Sequence, residues 1–323
     1  MAGAFAGARS AGRLDARVLV LAVAGVQLAA FTVATVLDRP TWYVVFAVAS
    51  AGVLGWRTNR GAFGVAAALL GGALVVALAY PLAALVTFTS PAAILSNATD
   101  PAVLRTLYLS VYAPLLATLL AFVLGVPLAL LLRRGFRGQA VVAALVDLPL
   151  VVPHSVAGLA VLLAFGSGHA FPTVPVLGAM PGLVLALAFV SAPYMVNGAR
   201  EGFEAVDENV ERAARSLGAN RVETFRRVTL PLALRGLVSG AVLSWARAVS
   251  EYGAVAVVAY NVSFFYPPAG ERVQGMFGSV FVVRQLDVNF ESAVSVAVLL
   301  LCVCVVVFLA VRTLTGTRGA WST

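Results

Sequence analysis

Apolar residues run along the chain in long blocks separated by short arginine-bearing turns. The blocks cover about residues 18–37, 42–56, 63–87, 105–132, 141–165, 178–198, 236–260 and 291–312. Most reach the roughly 20 residues that a helix needs to cross a bilayer. The pattern predicts an all-α polytopic membrane protein of about eight transmembrane helices. One stretch departs from it, because residues 200–227 hold 12 charged side chains. Within it Phe203, Val206, Val210, Ala213 or Ala214, and Leu217 recur at steps of three and four, which predicts one apolar stripe on an amphipathic helix. Glu208 with Arg212, and Glu211 with Arg215, stand four apart in the order that supports such a helix. Gly218 is placed to end it with a positive φ, and Asn220 to cap a second short helix with Glu223 at its third position. Leu230 and Pro231 are expected to stop that second helix.

Composition agrees with the membrane reading: 61% of the residues are hydrophobic and 11% charged. All 22 basic residues are arginine, which excludes Schiff-base chemistry and a phosphate loop ending in lysine. The net charge of +8 is scattered between apolar blocks rather than gathered on one face, so nucleic acid is not an expected partner. Placing the 200–235 loop in the cytoplasm puts 17 arginines on that side and four on the other, with Arg247 inside a span. Both termini then lie in the cytoplasm. Arg9, Arg13 and Arg17 precede an apolar block longer than a signal-peptide core, which predicts a retained first helix. Cys302 and Cys304, two apart in the last block, point away from each other on a helix and form no thiol pair. No His, Cys and carboxylate set has metal-ligand spacing, and no nucleotide site is recognisable. A secondary transporter predicts an internal repeat pairing two halves, whereas the charged loop occurs once. The amphipathic segment suits either lipid headgroups or a protein surface; the small Ala213 and Ala214 favour the protein.

On these residues the chain resembles the membrane subunits of binding-protein-dependent ABC importers. Their signature loop reads Glu-Ala-Ala, three residues, Gly, nine residues, then an aliphatic residue, any residue, Leu and Pro. Here Ala213 and Ala214 precede Gly218 by the required spacing, and Val228, Thr229, Leu230 and Pro231 close the motif. The signature Glu falls on Arg212, with Glu211 one position earlier. The resemblance implies a type I permease core of six helices preceded by two extra ones, dividing the chain into residues 1–61 and 62–323. It implies that loop 199–235 docks on a separate ATP-binding subunit through Phe203, Val210, Glu211, Ala213, Ala214, Leu217, Gly218, Leu230 and Pro231. ATP and Mg would sit on that partner, with no cofactor and no catalysis in this chain. An extracytoplasmic binding protein and a second permease copy, in a homodimer in the cell membrane, complete the implied assembly.

Two stretches narrow the resemblance. Leu148–Gly166 and Trp245–Asn261 are similar to permeases for molybdate, tungstate and sulfate, with His154 standing where a second proline is usual. The implied cargo is a tetrahedral oxyanion, tungstate or molybdate first and sulfate or thiosulfate second. Read from the residues, Arg247 and Glu251 lie four apart inside an apolar block, where an isolated charge costs at least about 2.5 kcal/mol. They are therefore expected to pair with each other or with a neighbour, Glu251 acting as scaffold or gate. His154 beside Pro153 marks a helix break. Asp147, Pro153, His154, Ser155, Arg247, Glu251 and Gly253 are the candidates for the pathway or its gate. His169, in the outward loop, is placed only to meet an external partner.

Overall fold

The computed structural model describes residues 16–57, 61–166 and 175–314; His169 and Arg9 lie outside them. Helices α1 (Ala16–Val36), α2 (Pro40–Arg57) and α3 (Gly61–Thr87) belong to one compact unit, which reaches Phe88. Inside it the Gln27 amide donates to Ser50 Oγ at 2.8 Å, and the Phe31 and Tyr43 rings meet edge to face. The second unit runs from Thr89. It opens with α4 (Pro91–Thr99), α5 (Pro101–Arg134), α6 (Gln139–Val151), α7 (His154–Phe165) and α8 (Met180–Glu204). Two short helices follow, α9 (Glu208–Ser216) and α10 (Arg221–Thr224), then a π-helical turn over Phe225–Thr229 and α11 (Leu230–Val249). The unit closes with α12 (Gly253–Val258), strands β1 (Val262–Tyr266) and β2 (Glu271–Gly275), α13 (Gly278–Val288) and α14 (Phe290–Leu314).

Among the described residues five helical segments are long and apolar enough to cross a membrane, and α6 with α7 makes a sixth if the bent pair is one span. The expected helix over 141–165 is thus two helices, turned by 117° where Pro153 interrupts the backbone ladder. The block at 236–260 also divides. Its helix starts earlier, at Leu230, and stops at Val249, and the chain resumes as α12 after Ser250–Tyr252. Beyond it the expectation of purely helical structure fails. Val262–Tyr266 alternates inward and outward, pairs antiparallel with Glu271–Gly275, and turns through Pro267, Pro268, Ala269 and Gly270.

α8 is the central helix, packing on α5, α6, α7, α11 and α12. One buried cluster gathers Leu109, Leu183, Leu187, Val255 and Phe277; a second, toward the charged loop, gathers Leu132, Met195, Phe203 and Leu237. Lipid offers helices little hydrophobic gain for associating, so close contact between small residues decides where they pack. α8 and α11 meet this way: a Cβ added at Gly236 would fall 2.3 Å from the Gly202 Cα. Gly236→Ala must therefore push backbone apart, at a cost of about 1–3 kcal/mol. Thermal unfolding of the purified chain should show a lower midpoint for Gly236→Ala but none for Gly71→Ala, where nothing lies within 4 Å; equal midpoints would show that the crossing is looser than described.

Candidate functional site

The charged loop begins where α8 ends. Asp207 accepts a hydrogen bond from the Asn209 N–H at 2.8 Å and so caps a new helix, α9. This cap breaks the expected single stripe. Phe203 and Val206 are buried in the core, whereas Val210 and Leu217 face outward, Leu217 at 90% exposure. Phe203 thus anchors the loop from within rather than lining its outer surface. Ala213 is exposed beside them and Ala214 half-buried. Gly218 turns the chain with φ +95°, a conformation costly for any side chain with a Cβ. The Val222 and Glu223 N–H groups then both donate to Asn220 Oδ1 at 3.0 Å, and the Asn220 N–H donates to Glu223 Oε2 at 3.0 Å, completing the capping box.

Leu230 and Pro231 do not stop this second helix. The chain passes through the π-helical turn, where the Leu230 N–H bonds to the Phe225 carbonyl, and continues as α11. A wider turn accommodates a proline that has no N–H and crowds the carbonyl four residues back. Leu230 packs on the loop-side core, and Pro231 is exposed in the first turn of α11.

Glu211 does not pair its side chain with Arg215, which instead donates from Nε to the Glu211 carbonyl at 3.3 Å. The Glu211 carboxylate turns inward. Arg133 Nη1 and Thr229 Oγ1 both donate to its Oε1, each at 2.7 Å, and Arg133 Nη2 donates to the Val206 carbonyl at 3.0 Å. Burial alone would raise the Glu211 pKa; the hydrogen bonds from Thr229 and Arg133, with the charges of Arg133 and Arg215, outweigh it and hold the carboxyl below its ordinary value. Glu208 and Arg212 form the expected pair, 3.4 Å apart and exposed.

The other cluster lies at the helix breaks. Arg247 Nη2 stands 2.7 Å from Glu251 Oε2, a close ion-pair contact, and donates to His154 Nε2 at 2.5 Å. His154 Nδ1 faces Glu251 Oε2 at 3.8 Å. Glu251 is fully buried, and its Oε1 accepts from the Ala254 N–H at 2.9 Å, capping α12. Ser279 Oγ donates to the Glu251 carbonyl at 2.6 Å. Gly253 lies against His154, while Pro153 and Ser155 are exposed at the bend. Asp147 stands apart from this group, accepting from Asn197 Nδ2 at 2.8 Å.

Residues 121–316 match the family model described as "Binding-protein-dependent transport system inner membrane component". The chain belongs to this family. It is similar to the molybdate/tungstate transport system permease protein WtpB of Pyrococcus abyssi, 40% identical over 76% of that protein and 60% of this chain. It is also similar to a probable sulfate transport system permease protein, cysT, of a Helicosporidium species, 32% identical over 88% of that protein and 72% of this chain. Among solved structures, a bacterial ABC transporter involved in the import of alginate matches with a TM-score of 0.62 at 14% identity, over 82% of this chain and 99% of that one; the likeness concerns the fold.

Of the expected residues in this permease, the structure brings Val210, Ala213 and Leu217 onto one outward face, and Arg247, Glu251, His154 and Gly253 into one cluster. Sequence reasoning missed Arg133, Thr229, Asn197 and Ser279. Arg133 carried one signal, its place in the last turn of a span; the identity of its partner, 78 positions away, carried none.

The depressed Glu211 pKa sets a pH expectation. An ordinary glutamate titrates near about 4.3. Because the folded value is lower, the tie contributes fully above the unfolded value and is lost as pH falls through the folded one. Hydrogen exchange at α9, corrected for intrinsic rates, should lose protection in that acid window. In Glu211→Gln the protection should be weaker at neutral pH and the acid step absent; an identical profile in the two proteins would show that the carboxylate does not hold the loop.

Proposed function

We propose that this chain is the transmembrane permease subunit of an ABC importer that carries a tetrahedral oxyanion, molybdate or tungstate, inward at the expense of ATP hydrolyzed on a separate subunit. The observation that carries the coupling part is the outward apolar face of Val210, Ala213 and Leu217 on a helix held from behind by Arg133, Glu211 and Thr229. An exposed leucine beside small residues suits a cleft on a protein partner. The tie behind the helix, and the backbone contact of α8 with α11, suit it to pass displacement into the spans.

In this reading the loop lies in the cytoplasm with both termini, α1 and α2 add two spans to a core of six, and two copies engage two ATP-binding subunits. A binding protein delivers the anion at the opposite end. The permease supplies passage and no catalytic step. Asp147, Pro153, His154, Ser155, Arg247, Glu251 and Gly253 line or gate that passage, with Glu251 a scaffold whose charge Arg247 balances. Molybdate and tungstate come first on the 40% identity to the Pyrococcus abyssi protein; sulfate stands second on the 32% identity to the cysT protein.

Two experiments test these parts separately. In reconstituted complexes Leu217→Glu and Gly218→Val should each lower binding-protein-stimulated ATP hydrolysis at least about tenfold, the size of one lost contact of about 1.4 kcal/mol, with membrane insertion unchanged. Full stimulation in both variants would rule out coupling through this face. Calorimetry of the cognate binding protein should give tight binding of tungstate or molybdate. Tight binding of a sugar or an amino acid, with no response to oxyanions, would overturn the cargo and leave the coupling reading intact.

A further inference from the structure

Behind the coupling face lies a cavity of about 370 Å³, lined by Arg133, Arg134, Glu208, Glu211, Arg215, Arg221, Thr224, Phe225 and Thr229. Its α9 wall is formed by Glu208, Glu211 and Arg215, which the 3.6-residue period places roughly opposite Val210, Ala213 and Leu217. The cavity is therefore distinct from the outward apolar surface and sits between α9, α10 and the end of α5. Its size falls in the range of small-ligand pockets.

The charge of its lining is unbalanced. Glu211 is committed to Arg133, and Glu208 reaches out to Arg212, which is not part of the wall. Among the ion pairs of the described residues, Arg134 and Arg221 have no carboxylate partner, and Arg215 makes no ion-pair contact, although its charge also acts on Glu211. These three arginines come from three helices, α5, α9 and α10, and line one polar space. Arginine presents a rigid donor fork that fits the oxygens of a phosphate, and several such forks around one space favour a multiply charged anion. Arg133 and Arg134 also end a membrane span, at the depth where lipid headgroups begin.

We infer that this cavity is a binding site for a phosphate-type oxyanion, a lipid headgroup or a free anion, that bridges Arg134 of α5 to Arg215 and Arg221 of the coupling segment. An anion held there fastens α9 and α10 to the end of α5 alongside the Glu211 tie. Its occupancy would set how stiffly the coupling helix is attached.

The test is calorimetric titration of inorganic phosphate into the full chain in nanodiscs of phosphatidylcholine, repeated in nanodiscs containing phosphatidylglycerol. Arg134 and Arg221 are exposed, so Arg134→Gln/Arg221→Gln should keep the wild-type melting temperature. Saturable binding in neutral discs, at least about tenfold weaker in the double variant and unchanged in Arg227→Gln, which lies outside the lining, supports the site. If phosphatidylglycerol abolishes phosphate binding, the occupant is a headgroup; if it leaves binding unchanged, the occupant is a soluble oxyanion. Absence of saturable binding in neutral discs, or equal binding by the double variant, overturns the inference. The partner ATPase is not needed, so failure here leaves the coupling and cargo readings standing.

Discussion

Glu211 places a carboxylate between the Arg133 guanidinium and the Thr229 hydroxyl, both at 2.7 Å, with only 17% of its side chain exposed. A carboxylate removed from water is tolerated when it is paired and hydrogen-bonded, and removing the paired cation leaves its charge uncompensated. This contact fastens α9 to the end of α5 and to the turn that opens α11. Without it the coupling segment would be an amphipathic helix on two hinges. With it, α9 is tied to α5 and α11, and α11 crosses α8 closely at the center of the bundle; in the proposed function, displacement at Leu217 would travel along these contacts.

A second constraint acts at the far ends of α6 and α11, where two spans break. Backbone groups freed inside a membrane protein must find partners there, because lipid supplies none. Glu251 answers this at the start of α12, and Arg247 balances the charge so introduced. The same carboxylate is thus helix cap and counter-ion, which accounts for a buried acid in an otherwise apolar block. His154 brings the other broken span to the same pair.

The loop was the most legible part of the sequence, because its signals are local. Asp207 is the exception: it caps α9 and divides the stripe, although the apolar spacing runs across it unbroken. Pro153 marked one break, whereas the apolar run through 236–260 concealed the other, whose cap is a side chain rather than a proline or glycine. The hairpin at 262–275 had readable chemistry, with Phe264, Phe265 and Tyr266 before a Pro-Pro-Ala-Gly turn, but it falls between the apolar blocks 236–260 and 291–312, for which an all-α fold predicts no strand. Contacts such as Arg133 with Glu211, or Asp147 with Asn197, join positions far apart and leave no trace in spacing.

The central claim is that Val210, Ala213 and Leu217 form the surface that an ATP-binding subunit covers. Thiol accessibility tests it most directly. In a background with Cys302 and Cys304 replaced by alanine, Leu217→Cys should react freely in the isolated chain, given its 90% exposure. On assembly with the ATP-binding subunit the account predicts that this thiol becomes protected. Equal reactivity in the free and assembled states would contradict it.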